Sequence, residues 1–281
     1  IPYTGYGSTT WMRVLARVLL LKPRKTKTGR HKKIRGWRSF LGIPLAGAVV
    51  TVKVNGSLFE LEADRGGVID QVIPVELTPG WHTVTLQSGT QSPVKTRMWI
   101  VDPEATTGIL CDVDDTIMVT ALPRPLLAAW NSFARDENAR RPVPGMAVLL
   151  ERLTRENPKA PVIYLSTGAW NVAPTLQRFV SRHLYPMGTF LLTDWGPTRE
   201  RWFRSGIEHK RTNLARLAEE FPSIAWILIG DDGQHDEKIY REFAAAHPRN
   251  VKAVAIRELL APEALLAGGR RHLDRTANPL E

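Results

Sequence analysis

From Ile109 to Ile256, apolar runs of strand length alternate with amphipathic helical stretches. That alternation restricts the second half of the chain to a parallel sheet covered on both faces by helices. The runs read as strands are 109–112, 162–166, 189–193, 224–229 and 251–256, and the intervening stretches read as helices near 145–156, 172–185, 208–220 and 235–246. Pro174 suits the first turn of its helix, and Pro158, Pro186, Pro222 and Pro248 each follow a helix end, as residues that cannot continue the ladder should. The expected class is α/β, a doubly wound parallel sheet.

The first half has a different rhythm. Short β-rich runs at 48–54, 57–63, 68–75, 82–87 and 94–101 are separated by Asn55-Gly56, Arg65-Gly66-Gly67 and Pro79-Gly80, each a turn signal. Strands at this spacing predict a small all-β, sandwich-like domain. Before them, the stretch from Trp11 to Leu21 places Arg13 and Arg17 on one face, which predicts a half-buried strand. The predicted organisation is a β module over 1–102 with a basic loop at 22–38, the α/β domain over 103–260 and a tail over 261–281. His82 stands alone in the module, and Phe59, Trp81 and Trp99 read as core. The module is therefore expected to be a scaffold or to bind a protein partner that the sequence does not name.

The chain has 281 residues and a net charge of +10, and most of the excess lies in one acid-free segment, Lys22 to Arg38. Such a run suits anionic lipid headgroups or a solvated loop. Nucleic acid is disfavoured, because no zinc, helix-turn-helix or RNA-recognition motif accompanies it. The apolar stretch Trp11–Leu21 is interrupted by arginines and is shorter than the roughly 20 residues a spanning helix needs. No cleavable signal is read either, so a cytoplasmic protein with peripheral membrane contact is expected. Cys111 is the only cysteine, so no disulfide can form within the chain, and its place in an apolar strand predicts a small buried hydrophobe.

Chemistry gathers at the expected strand ends. The strand Ile109-Leu110-Cys111 stops at Asp112-Val113-Asp114-Asp115-Thr116, and carboxylates so close imply a hard cation, a shared proton, or both. The next strand ends in Ser166-Thr167-Gly168, where a hydroxyl and backbone amides can hold a phosphate oxygen or cap a helix. Lys210 is expected at a helix head, where it would oppose the macrodipole unless a nearby anion favoured it. A fourth strand ends in Gly230-Asp231-Asp232-Gly233-Gln234-His235-Asp236, an acidic cluster for which metal binding is the simplest account.

The order D-x-D-x-T, S/T, K, G-D-x-x-x-x-D resembles the haloacid-dehalogenase (HAD) phosphohydrolases. The blocks Asp194-Trp195-Gly196, His209-Lys210 and Leu228 to Asp236 with Ile239-Tyr240 are similar to those of the actin-patch-associated phosphatidate phosphatases and their bacterial relatives, as is Tyr3-Thr4-Gly5-Tyr6-Gly7. Asp232 departs from the serine expected in many relatives. The resemblance implies a nucleophilic Asp112, an acid and base in Asp114, and Thr116, Ser166, Thr167, Gly168 and Lys210 around the phosphoryl group. It implies Mg²⁺ held by Asp112, the Asp114 backbone carbonyl and Asp231, with Asp232 and Asp236 as further candidates.

The implied substrate is phosphatidate, hydrolysed to diacylglycerol and phosphate. A phosphatase of soluble or protein phosphomonoesters and a non-catalytic membrane adaptor stand as alternatives. Neither interval around the motifs has room for a large lid domain, which suits a bulky substrate. The stretch Leu122 to Trp130 either touches acyl chains or packs on its own domain.

Overall fold

The computed structural model describes residues 1–20, 42–119, 140–193, 199–233 and 235–260, with the helical backbone alone for 199–205. The basic segment 22–38, the stretch Leu122–Trp130, the block Asp194-Trp195-Gly196, Gln234 and the tail 261–281 lie outside the described residues.

The first half forms β1 (Gly5–Ser8), β2 (Trp11–Arg17), the short pair β3 (Leu19–Leu20) and β4 (Ile43–Pro44), then β5 (Val49–Val54), β6 (Ser57–Glu62), β7 (Val68–Pro74), β8 (Gly80–Ser88) and β9 (Val94–Ile100). Seven of these make a single sheet in the order β6-β5-β8-β9-β1-β2-β7, so the expected two-sheet sandwich gives way to one continuous sheet. The joint is β1, which runs parallel to β9, with Tyr6 opposite Trp99, and antiparallel to β2, with Tyr6 opposite Arg13. A glycine-rich strand is a poor strand on propensity alone, which is why sequence patterning passes over it. Here the glycines are required: a Cβ on Gly5 would lie 2.4 Å from Arg13 O, and one on Gly7 would lie 2.2 Å from Trp11 O. The two edge strands are consecutive in the chain and curl together, Gln71 Nε2 donating to Glu62 O at 2.8 Å, so the sheet is nearly a barrel.

Met12, Val14, Ala16, Val52, Val84, Leu86, Met98 and Ile100 fill its interior. The outward face of β2 is not left to water. Leu15, between the two arginines, is buried and joins Tyr3, Tyr6 and Val68 in the apolar cluster of the second half, so the strand is covered on both sides.

The second half forms β10 (Thr107–Asp112), a small ribbon of β11 (Met118–Val119) and β12 (Arg141–Pro142), α1 (Met146–Glu156), β13 (Val162–Ala169), α2 (Ala173–Arg182), β14 (Thr189–Thr193), α3 (Arg199–Glu220), β15 (Ala225–Asp231), α4 (Asp236–Ala246) and β16 (Val251–Arg257). The five long strands pair in parallel in the order β14-β13-β10-β15-β16. Each apolar run and each helical stretch read from the sequence corresponds to one of these elements. Because the chain moves outward from β10 to one side and then returns to its other side, the switch point lies at the carboxyl end of β10, where a ligand crevice belongs.

One boundary differs consequentially. The helix carrying Lys210 begins at Arg199, so the lysine sits in a helix interior and not at its head. The macrodipole therefore supplies no reason for an anion beside it. Among the described residues no helix is long and apolar enough to cross a membrane.

Candidate active site

All residues of β10 are buried, as a central strand covered on both faces requires, so Asp112 at its end is taken out of water with the strand. The chain then turns tightly. Asp115 adopts a left-handed φ of 58°, and the amides of Ile117 and Met118 return to Val113 O at 3.1 and 3.2 Å. This turn brings Asp114 and Thr116 back beside Asp112, at exposures of 5% and 0%.

From β13, Ser166 Oγ donates to Asp114 Oδ2 at 3.0 Å and accepts the Gly168 amide at 2.9 Å. Thr167 follows in the same turn, with its methyl against Gly206 on α3. Thr193 Oγ1, on β14, donates to Thr167 O at 2.9 Å and to Gly168 O at 3.3 Å, which ties the turn to the neighbouring strand.

Lys210, 2% exposed, donates from α3 to Asp112 Oδ1 at 2.6 Å and to Asp236 Oδ1. Asp236 opens α4 and folds back over the end of β15, where Gly230 makes room for it: a Cβ there would lie 2.7 Å from Asp236 Oδ2. Asp231 Oδ1 accepts the Gly233 amide at 2.7 Å, and Thr116 Oγ1 reaches Asp231 Oδ2 at a long 3.5 Å.

Asp112, Asp231 and Asp236 are all buried, and one carboxylate oxygen from each lies within 4.8 Å of the others. With all three carboxylates ionised, one ammonium offsets one of them and leaves two negative charges, which a divalent cation would balance. Two oxygens of this group, Asp112 Oδ2 and Asp236 Oδ2, are buried with no hydrogen-bond partner among the described residues. Buried carboxylate oxygens are costly unless something positive or a donor meets them, so the donor set fits a hard cation. Of the remaining expected metal residues, the Asp232 side chain stands apart from this triad, and Asp114 is expected to act through its backbone carbonyl. Asp232 Oδ1 accepts the Leu259 amide at 2.9 Å, because neighbouring residues on an extended chain point to opposite sides, and the Asp114 carboxylate is engaged by Ser166.

The electrostatics follow from burial. It pushes Asp112 well above the carboxylate range, an effect that Lys210 only partly offsets. It lifts Asp231 to about 7, with Asp236 adding to the rise, and Asp114 to about 6. Burial alone would lower Lys210, but the Asp112 and Asp236 carboxylates outweigh it and hold the lysine charged. Beside the site, His209 is depressed to about 4 by burial.

The residues missed by sequence reasoning lie where the two halves meet. Trp170, Glu220, Asp70 and Arg216 all bind partners across that boundary, and only the Tyr3-Thr4-Gly5-Tyr6-Gly7 block hinted at it.

This arrangement, at the switch point of a five-stranded parallel sheet, defines a doubly wound α/β protein with a buried acidic triad at the sheet's carboxyl edge. Sequence comparison narrows it: residues 107–258 match the family described as phosphatidate phosphatase APP1, catalytic domain, and the chain belongs to that family. The uncharacterized protein C29B5.04c of Schizosaccharomyces pombe is 27% identical over 203 residues, covering 69% of this chain and 33% of that protein. Phosphatidate phosphatase APP1 of Saccharomyces cerevisiae is 24% identical over 151 residues, covering 53% of this chain and 25% of that protein. The chain thus spans a third or less of the length of these relatives. Among solved structures, the HAD domain of the effector protein Lem4 from Legionella pneumophila is 13% identical with a TM-score of 0.36, covering 54% of this chain and 85% of that one.

Proposed function

We propose that the chain is a magnesium-dependent phosphatase that releases phosphate from phosphatidate through an aspartyl-phosphate intermediate. The observation that carries the reading is the convergence of Asp112, Asp231 and Asp236 with Lys210, two of the carboxylate oxygens being buried and unpartnered among the described residues, while Ser166 bonds Asp114 at the end of the strand paired with β10.

The Asp112 carboxylate attacks phosphorus, forming an acyl phosphate as the ester P–O bond breaks. The leaving alkoxide takes its proton from Asp114, which suits the part because its carboxyl is lifted to about 6. Asp114 then takes a proton from the water that attacks the acyl phosphate, and Asp112 is regenerated. Ser166 and Lys210 hold the phosphoryl oxygens, with the Gly168 amide behind Ser166. Asp112, Asp231 and Asp236 would hold Mg²⁺, together with the Asp114 backbone carbonyl; when bound it neutralises phosphoryl charge.

The choice of phosphatidate rests on the family, and the basic run 22–38 supports it, each basic residue near an anionic bilayer contributing roughly 1 kcal/mol. The test is phosphate release from phosphatidate in mixed micelles compared with soluble sugar phosphates and a phosphopeptide, each with and without chelator. Chelator-sensitive release from phosphatidate is the expected result. Preference for a soluble or peptide ester would replace the substrate, and release that survives both chelator and Asp112→Asn would reject the mechanism.

A further inference from the structure

The geometry points to the N-terminal strand pair as a positioning element of the phosphate-handling site: Tyr3 fixes the Ser166 turn through Trp170, and Tyr6 and Arg13 fix the Lys210 helix through Glu220. This rests on the proposed function for what the site handles, and on the observed contacts for how it is held.

The first arm is short. Tyr3 is buried at 1% exposure, its ring stacks on Trp170 with centroids 4.7 Å apart, and its hydroxyl donates to Trp170 O at 2.9 Å. Trp170 follows directly on β13, whose last residues are the Ser166–Ala169 turn. Thr193 grips that turn from β14, and Tyr3 grips its exit from the other half of the protein. Two further bonds run the same way: Thr189 Oγ1 donates to Gly5 O at 3.1 Å, and Gln177 Nε2 to Thr4 Oγ1 at 3.5 Å. Every residue from Thr4 to Tyr6 therefore reaches the second half, and the glycines are the positions at which β1 must approach its neighbours closely.

The second arm acts through α3. Tyr6 Oη donates to Glu220 Oε2 at 2.6 Å, and Arg13 Nε donates to Glu220 Oε1 at 3.0 Å. Arg13 also pairs with Asp70 at 2.6 Å, and Asp70 pairs with Arg216 at 2.8 Å, one turn before Glu220. From Arg216 the chain of bonds climbs the helix: Arg216 donates to Asn213 Oδ1, and Asn213 Nδ2 donates to His209 O at 2.8 Å. His209 O belongs to the peptide bond that joins Lys210. From Glu220 to Lys210 the helix rises about 15 Å, a distance that a hydrogen-bonded cylinder spans as a stiff rod. Asp112 and Asp236 meet at the lysine, so the tilt of α3 decides where both carboxylates are held.

A module that only propped up the fold would change stability and leave turnover per folded molecule alone. The test uses the full chain with Tyr3→Phe, which keeps the stacked ring and removes the bond to Trp170, and Glu220→Gln, which weakens the grip on α3. Both are read by thermal melting, by amide hydrogen exchange at 166–170 and 207–212, and by turnover. Tyr3→Phe is expected to speed exchange at 166–170, and Glu220→Gln at 207–212. Each lowers kcat about tenfold while KM moves less than about twofold, because a misplaced group costs transition-state and not ground-state stabilisation. Unchanged exchange at both segments, or wild-type kcat in both folded variants of an active enzyme, overturns the inference. If the wild-type chain releases no phosphate from any ester, the proposed function fails instead, and the exchange measurement alone decides the positioning role. Should one variant not fold, exchange and turnover in the other decide between the two outcomes.

Discussion

Lys210 Nζ lies 2.6 Å from Asp112 Oδ1 and also bonds Asp236 Oδ1, so a single ammonium on α3 ties the end of β10 to the first turn of α4. Replacing it by methionine leaves three buried carboxylates facing one another. We expect Lys210→Met to lose about 3–5 kcal/mol in urea unfolding without metal, the usual cost of stripping one partner from a buried ion pair. Adding Asp236→Asn to it should recover part of the loss. A single variant as stable as the wild type would mean that the lysine does not balance this charge.

Metal binding gives a readout independent of turnover. Millimolar Mg²⁺ should raise the melting temperature of the wild-type chain, since a ligand held only by the folded state stabilises by mass action. The rise should vanish in Asp231→Asn. It should persist in Asp232→Ser, because the Asp232 carboxylate is engaged by the Leu259 amide and stands outside the triad. A lost shift in the serine variant would put Asp232 back into the metal set.

His209 supplies a pH dependence with a definite sign. Burial holds its folded pKa near 4, below the ordinary value of 6.5. A depressed folded pKa means stability that is present above about 6.5 and lost as pH falls toward 4, where the unfolded chain takes up the proton first. Wild-type stability measured from pH 7.5 to 4.5 should therefore fall more steeply than that of His209→Gln. Parallel curves for the two would contradict the burial argument.

Gly230 lies under the Asp236 carboxylate, and a methyl group there would come within 2.7 Å of Oδ2. Gly230→Ala should cost about 1–3 kcal/mol, the ordinary range for overpacking a close contact. It should also weaken the Mg²⁺-induced melting shift, because the displaced carboxylate belongs to the triad. An unaffected shift would show that Asp236 does not hold the ion.

Much of the second half is legible in the sequence. Parallel strands buried on both faces must be nearly all apolar, helices between them must be amphipathic, and both signals are local. The aspartates at 112 and 231 are legible for the same reason, since polar residues that end an apolar strand have nowhere to go but the sheet edge, and Asp114 and Asp236 follow them within a few residues. Lys210 stands out in the sequence, but its place within the helix does not. The helix extends to Arg199 through a charged segment without a clear apolar stripe, and helix ends are the least certain feature of any local pattern. Asp232 groups with its neighbours in the sequence because proximity along the chain does not reveal which side each carboxylate faces.

The sequence by itself determined the order of strands and helices, the chemistry at each strand end and the family to which the chain belongs, because these depend on periodicity and residue type within short windows. Only the tertiary structure decided that β1 welds the first half into one curled sheet, that Asp236 and not Asp232 closes the acidic triad, and that Tyr3, Tyr6 and Arg13 reach across to Trp170 and Glu220. The last contacts join residues separated by more than 150 positions, and their energy depends on how two folded halves dock, which no local pattern encodes.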